Sequence, residues 1–540
     1  MAVENLITEH IDIWTSAIKT KSTSGRGSSK KLELYGVKKL RELILELAVR
    51  GKLVPQDAND EPVATLLKQN HIEQSRLTVE ENLKTKASQS ILDSEEYILV
   101  PETWGRIKLG NLAKFIDYRG KTPKKLSAGV RLITAKNVKF GYLSLQPEEF
   151  ISEAEYKTWM TRGFPRIGDI LFTPEAPLGN VAQVDLEEKF ALAQRAICLQ
   201  FHLSDISNYL RLFLMSPSFQ NLLSEKATGT TAKGIKASVL KELVVYIPPI
   251  EEQHRIVAKV DELMALCDQL EQQTEASIEA HQVLVTTLLD TLTNSADADE
   301  LMQNWARISE HFDTLFTTEE SIDQLKQTIL QLAVMGKLVH FGADPMEAYV
   351  KDVISFGPRN GLSPKEVQVD TGIKVLKLGA TSYGSLNLDE SKSVDVDIEK
   401  TSHLWLKKGD ILIQRGNSAN YVGCNCLVKE DVCDVIYPDL MMKIRPSKTV
   451  SSEFLSTWLS SPMAREFMWT RMTGTSGTMP KISKKVVEAI PIIVPSRKIQ
   501  DIIVSKVEEL FSICELLKQL ISETQQTQSQ LTDTIVEQAV

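Results

Sequence analysis

Between Arg106 and Tyr142 the chain places Arg106, Lys108, Lys114, Arg119, Lys121, Lys124, Lys125, Arg131, Lys136 and Lys139 against one acid, Asp117. Interleaved with Tyr118, Asn137 and Tyr142, these cations have the chemistry to hold phosphates and meet base edges. A solvated lysine-rich loop has the same composition, so the wider charge distribution decides. The whole chain carries −9, yet residues 104–250 hold twenty Lys and Arg against thirteen Asp and Glu, and residues 348–495 hold nineteen against sixteen. Two basic segments (+7 and +3) thus sit on a remainder of −19, a division that favours a nucleic-acid partner. The candidate DNA contacts are Arg119, Lys121, Lys136, Asn137, Arg195 and Lys233 in the first segment, and Arg359, Lys377, Gln414, Arg415, Asn417 and Arg471 in the second. All are expected in loops or at strand ends, where phosphate and base contacts originate. The loops "TGTTAKGIK" and "TGTSGTMPKI" add backbone N–H groups beside a cation, although Gly and Thr also simply make turns.

Signatures of catalysis are missing. "RGKTP" at Arg119 has Phe115 where a phosphate-binding loop needs its first glycine, and no Asn/Asp-Pro-Pro-aromatic motif of amino-methyltransferases occurs. "YPDLMMK" (Tyr437 to Lys443) lacks the second carboxylate of a nuclease motif. "CNC" at Cys424 to Cys426, with Cys433 beyond, does not have zinc-site spacing and reads as small strand residues. The six cysteines show no disulfide pattern, no apolar run approaches the roughly 20 residues of a membrane span, and "MAVENLITEHIDIW" is no signal peptide. A cytoplasmic protein with reduced thiols is expected.

The elements that must position the cations are written twice. "LRELILELAVRGKLV" (Leu40 to Val54) returns as "LKQTILQLAVMGKLV" (Leu325 to Val339), with ten of fifteen positions identical at an offset of 285. "IKASVLKELVVYIPPIEEQHRIVAKVDEL" (Ile235 to Leu263) aligns with "ISKKVVEAIPIIVPSRKIQDIIVSKVEEL" (Ile482 to Leu510) at 247. Weaker echoes lie between: "PRIGDILFT" with "LKKGDILIQ", and "LITAKNVKFGYLSL" with "VLKLGATSYGSLNL". The chain is two copies of one unit: leading helix, mixed α/β domain, trailing helix. The falling offset leaves copy one about 44 extra residues, from Pro55 to about Val100, expected to form a polar helical linker on the surface.

The trailing helices have coiled-coil spacing. In copy one Ile256, Val260, Leu263, Cys267, Leu270, Thr274, Ser277, His281, Leu284 and Leu288 step by four and three; in copy two the set is Ile503, Val507, Leu510, Cys514, Leu517, Ile521, Thr524, Gln528, Leu531 and Ile535. About 44 residues per helix make roughly 66 Å at 1.5 Å per residue. His281 is expected on this seam as a polar register device. The leading helices present apolar stripes (Leu40, Leu43, Ile44, Leu47 and Ala48 in copy one) and are expected close to the trailing helices.

The paired "LAVRGKLVP" and "LAVMGKLV" helices, the duplicated "GDIL" turns, the paired exits "IPPIEEQHRIVAKVDEL" and "VPSRKIQDIIVSKVEEL", and "GKLV" followed by "PQDANDEP" resemble the specificity (S) subunit of Type I restriction–modification enzymes over essentially the whole chain. The resemblance implies two target recognition domains, each reading one half of a split double-stranded DNA site. It also implies two long antiparallel coiled-coil helices that set the spacing. Two methyltransferase (M) subunits would dock on the helices and restriction (R) subunits would join them. Adenine methylation with S-adenosylmethionine would belong to M, ATP and Mg chemistry to R, and no cofactor or catalytic role to this chain. The expected fold is α/β (α+β) with an internal pseudo-two-fold repeat. Its segments are a helical region and linker (1–103), recognition domain 1 (104–250), a central helical region (251–346), recognition domain 2 (347–495) and a final spacer helix (496–540). The stripes holding Leu47 and Leu332 are expected to carry the M interface. Rival readings are a fused nuclease or methyltransferase, and a coiled-coil adaptor that binds no DNA.

Overall fold

The computed structural model describes residues 3–21, 31–80, 91–92, 95–118, 123–229, 233–382, 384–474 and 479–540. The chain forms two compact units. The first holds Met1–Lys19, Leu32–Thr274 and Thr527–Val540; the second holds Thr20–Lys31 and Glu275–Gln526.

Both units follow one plan. In the first, the leading helix Tyr35–Val49 precedes a mixed domain closed by strand Gly105–Lys108 pairing antiparallel with Val244–Ile247. In the second, helix Glu319–Val334 precedes a domain closed by Met346–Tyr349 on Pro491–Val494. Each domain therefore enters and leaves through adjacent strands. Inside lies an antiparallel four-stranded sheet. Its order is Ala113–Asp117, Ile197–Phe201, Ile170–Phe172, Val181–Gln183 in the first unit, and Ile354–Asn360, Met441–Pro446, Ile411–Gln414, Asn425–Leu427 in the second. A second sheet contains the one parallel pairing found among the described residues of each domain, Val130–Ile133 with Phe190–Leu192 and Lys374–Leu376 with Val432–Ile436.

The short apolar strands start from the repeated "GDIL" turns, where Gly168 (φ +88°) and Gly409 (φ +86°) take a conformation that side chains disfavour. The buried aspartates that follow meet different partners. Asp169 accepts from the Arg166 amide and the Gln200 side chain, both at 2.8 Å, and burial holds its carboxyl above the usual range. Asp410 pairs with buried Lys443 at 3.0 Å and with Arg445 at 2.7 Å.

The leading helices bury their stripes within their own units. Tyr35–Val49 packs on helices Ser207–Met215 and Pro217–Lys226; Glu319–Val334 packs on Ser452–Ser460 and Pro462–Trp469. Ser216 and Ser461 cap the second helix of each pair, with Pro217 and Pro462 where no amide is needed. Glu46 and Gln331, at the same repeat position, complete those caps by accepting from the Ser218 amide (2.9 Å) and the Met463 amide (3.0 Å). Leu47 and Leu332 are buried by the chain itself. They are not free to carry a partner, which corrects the expected M interface.

The trailing helices are Ile250–Asn294 and Arg497–Ala539. Each unit contains the first part of one and the last part of the other. Leading and trailing helices meet through matching ion pairs: Arg41 with Asp268 (2.6 Å) in the first unit, Lys326 with Glu515 (2.6 Å) in the second. The seam begins as expected with Ile256, Val260, Leu263 and Cys267, and with Ile503, Val507 and Cys514, all buried. Past Thr274 and Ile521 it slips by one residue. Val285 and Leu289 are buried where Leu284 was expected, and Ser529 and Thr532 where Leu531 was expected. An α-helix of 3.6 residues per turn drifts about 20° per heptad from a 3.5 repeat, and both copies absorb the drift at the same place. His281 correspondingly leaves the seam and donates from Nε2 to the Thr314 carbonyl at 3.0 Å.

The extra segment of copy one is more than a linker. Its helix Val63–Glu80 lays Val63 and Leu67 against Gly105, and Asn70 donates to the Asn111 carbonyl at 2.9 Å. Asp60 forms a two-point pair with Arg255 (2.6 and 2.9 Å), and Tyr97 packs edge-on against Tyr246. No described helix is long and apolar enough to cross a membrane.

Candidate nucleic-acid interface

Arg195 in the first unit, and Arg359 and Arg415 in the second, lie at one end of their four-stranded sheet. In the first unit Ile197 lies opposite both Asp117 and Phe172, so strands Ala113–Asp117 and Ile170–Phe172 end where Ile197–Phe201 begins. Arg195 immediately precedes that end. Arg119 and Lys121 follow it in sequence but lie outside the described residues. In the second unit Asn360 and Ile413 lie opposite Met442, and Gln414 lies opposite Met441. Arg359, Gln414, Arg415 and Asn417 therefore share the equivalent end.

Two loops build on each sheet end in the same way. The small-residue loop forms a hairpin, Thr228 with Gly234 in copy one and Thr473 with Lys481 in copy two. Each hairpin then docks on the loop after the "GDIL" strand, through Glu175 with Gly234 and Gly416 with Lys481. The Ile235 amide donates to the Pro174 carbonyl and the Ile482 amide to the Arg415 carbonyl, both at 2.9 Å. A further loop, following the parallel strand of the second sheet, is tied to the same place. In copy one the Asn180 amide group donates to the Val138 carbonyl (2.9 Å); in copy two Gln414 donates to the Leu378 carbonyl (3.0 Å). The frame is duplicated while the side chains it presents differ.

Those side chains separate into two groups. Arg195, held at φ +65°, pairs with Glu175 at 2.8 Å, beside the hairpin that carries exposed Lys233. Lys136 and Lys377 are exposed at the starts of the second-sheet loops. Arg471 stacks over Phe467 at 3.8 Å, and partly exposed Arg415 lies between Gln414 and Gly416. Asn137 and Gln414 belong to the framework instead. Both are buried, Asn137 with its amide saturated by Thr134, Ser144 and Pro147, and Gln414 with its NH2 on Leu378, Thr381 and Ser382. Asn417 donates to the Gln414 side-chain oxygen at 2.7 Å and so supports it. Tyr118 is likewise buried, its hydroxyl donating to the Gly163 carbonyl at 2.7 Å. Polarity had suggested contacts where the fold needed internal hydrogen bonds.

Arg359 lies on an open cleft of about 510 Å³ together with Leu362, Asp397, Glu399 and His403. Burial, then the neighbouring cations Arg359, Lys443 and Lys484, hold the His403 imidazole below its usual range, against a main-chain bond at Asn360 that raises it. A neutral imidazole suits a base edge better than a phosphate. His403, Lys481 and exposed Phe140 were not among the sequence candidates. Only Lys481 had a signal there, as the lysine of the aligned "TGTSGTMPKI" loop. Among the described residues, no three His, Cys, Asp or Glu side chains are grouped to hold a metal ion.

The profile of the Type I restriction modification DNA specificity domain matches residues 101–280 and again 346–526. The specificity subunit of the Type I restriction enzyme EcoEI of Escherichia coli is 33% identical over 603 aligned residues, covering 100% of both chains. That of EcoAI, also of Escherichia coli, is 34% identical over 604, again covering 100% of both. The solved HsdS subunit of Thermoanaerobacter tengcongensis aligns with 83% of this chain and 98% of its own at 17% identity and a TM-score of 0.38. The chain belongs, along its whole length, to the family of Type I restriction–modification specificity subunits, the non-catalytic DNA-recognition components of those systems.

Proposed function

We propose that each mixed domain, residues 104–250 and 347–495, reads one half of a bipartite double-stranded DNA site through the loops at its sheet end. The observation that carries this reading is the duplicated loop frame with unlike side chains. One frame holds Arg195, Lys233 and Lys136, the other Arg359, Lys377, Arg415 and Arg471. Two different half-sites require the same scaffold and different contacts. The trailing helices set the distance between the halves, and the chain acts in the cytoplasm.

Two M subunits dock on the helical frame and methylate adenine with S-adenosylmethionine, and R subunits supply ATP- and Mg-dependent restriction. With the leading-helix stripes buried, docking falls to the exposed apolar positions of the trailing helices. Leu266 (42% exposed) and Ile513 (49%) share one repeat position, Leu284 (49%) and Leu531 (46%) another. Each unit holds one of each kind, as two identical partners require.

The test is binding of the purified complex with M to duplexes with and without the cognate site, across a salt series. Sequence-selective binding that weakens with salt is expected. Absence of DNA binding would favour an adaptor, and methyl transfer by the chain alone would favour an enzyme.

A further inference from the structure

The hairpin after strand Val130–Ile133 is tied more firmly than a connection needs. Buried Asn137 accepts from the Thr134 amide (3.0 Å) and hydroxyl (2.8 Å), and donates to the Ser144 (3.0 Å) and Pro147 (3.1 Å) carbonyls. Val138 pairs with Leu143, and the Lys139 amide donates to the Tyr142 carbonyl at 3.0 Å, leaving Phe140 and Gly141 at the tip. The tip is fastened to the neighbouring sheet, where the Gly141 amide donates to the Val181 carbonyl at 2.7 Å. Gly141 has φ +97°, and a Cβ there would lie 3.1 Å from the end of Met215, so the turn calls for glycine.

This fixed backbone turns its aromatics outward. Phe140 is 46% and Tyr142 61% exposed, with exposed Lys136 and half-buried Lys139 beside them. One exposed aromatic is ordinary on a protein surface. Two on a pinned turn, flanked by cations in a net-positive domain, form a binding element whose ordering cost is already met. The aligned "SYGSLNL" of copy two keeps an aromatic before Gly384, whose φ is +77°; Tyr383 itself lies outside the described residues.

We propose that Phe140 is a wedge that enters between adjacent base pairs of the half-site read by residues 104–250, with Tyr142 beside it and Lys136 and Lys139 on the flanking phosphates. The inference rests on the DNA-recognition reading above. Apolar side chains inserted this way partly unstack a base step and kink the duplex. The wedge sits in the same loop cluster as Arg195, since the loop ending at Asn180 and Val181 holds both the hairpin and Glu175.

The experiment uses the complex with M and cognate duplexes carrying a fluorophore at each end, reading affinity and end-to-end energy transfer together. Phe140→Ala is expected to weaken binding about tenfold, the scale of one lost aromatic stacking contact, and to lower the transfer as the kink relaxes. Phe140→Leu, still an apolar wedge, should keep most of the kink. Unchanged transfer in Phe140→Ala overturns the wedge whether or not affinity falls. Wild-type complex that binds no duplex selectively overturns the recognition reading and the wedge with it.

Discussion

The Lys337 ammonium donates to the Thr293 carbonyl oxygen at 2.6 Å, closing the C-terminal end of the first trailing helix. It also donates to the Ser295 carbonyl at 2.7 Å. Lys52, its counterpart in the other "GKLV", donates to the main-chain oxygen of Val540 at the end of the second trailing helix. Each trailing helix therefore ends on the leading segment of the other copy. The last carbonyls of a helix lack amide partners and carry the negative end of its dipole, so a lysine there has a structural use.

Lys337→Met should consequently lower the stability of the second unit by about 1–2 kcal/mol, the upper range for a cation at a helix C-terminus in a partly buried site. Lys52→Met should cost less, because that contact is exposed. Urea unfolding of the two variants decides the order, and a larger loss at Lys52 contradicts it.

The two "GDIL" aspartates should differ in their sensitivity to neutralisation. Asp410→Asn strands buried Lys443 without its carboxylate, a loss of about 3–5 kcal/mol for a broken buried pair. Asp169 faces neutral Gln200 and Cys198, and Asp169→Asn should stay within about 1 kcal/mol. Because the folded carboxyl of Asp169 titrates above the unfolded one, the wild type gains stability as pH falls from neutral through the raised value towards the ordinary aspartate range. Thermal unfolding of Asp169→Asn across that window should show the gain removed; an unaltered pH dependence would sink the assignment.

Partner docking separates exposed from buried leucines. Leu266→Asp with Ile513→Asp should abolish co-purification of the M subunit while leaving the unfolding transition near that of the wild type, since both side chains face solvent. Leu47→Asp or Leu332→Asp should instead unfold its unit by burying a charge. Retention of M by a folded Leu266→Asp, Ile513→Asp variant rejects the surface.

DNA contacts divide by their salt response. Lys233→Ala, which removes a proposed phosphate contact, should weaken binding to all sequences and reduce the salt slope by about one unit. Arg359→Ala, on the His403 cleft, should cost about 1–3 kcal/mol and relax preference at a single position. Titrations against a panel of single-substitution sites distinguish the two, and identical effects on every sequence for both variants would contradict the division.

The repeat, the "GDIL" turns and the opening of the coiled-coil seam were legible because each depends on local spacing: Ile256 to Cys267 keep one face whatever surrounds them. The later seam was not, since the slip at Thr274 comes from helix pitch accumulated over several turns. Asn137 and Gln414 misled for another reason. An amide that ties two loops together looks in sequence like an amide offered to a base, and only the carbonyls of Ser144 and Leu378 across the turn tell them apart. The Leu47 stripe was legible as an apolar face but was assigned to the M subunit, because its actual cover, the Ser-Pro helix of its own domain, lies more than 160 residues away.

The central claim is that each mixed domain independently reads one half of a split site. Its entry and exit strands, Gly105–Lys108 and Val244–Ile247, lie side by side, so residues 104–250 can be exchanged for the corresponding domain of another family member without moving the helices. Modified adenines mapped across a genome carrying that chimera, with its M subunits, give the answer directly. One half of the recognised site should change while the other half and the spacing persist. Both halves altered together, or a changed spacing, would contradict the account.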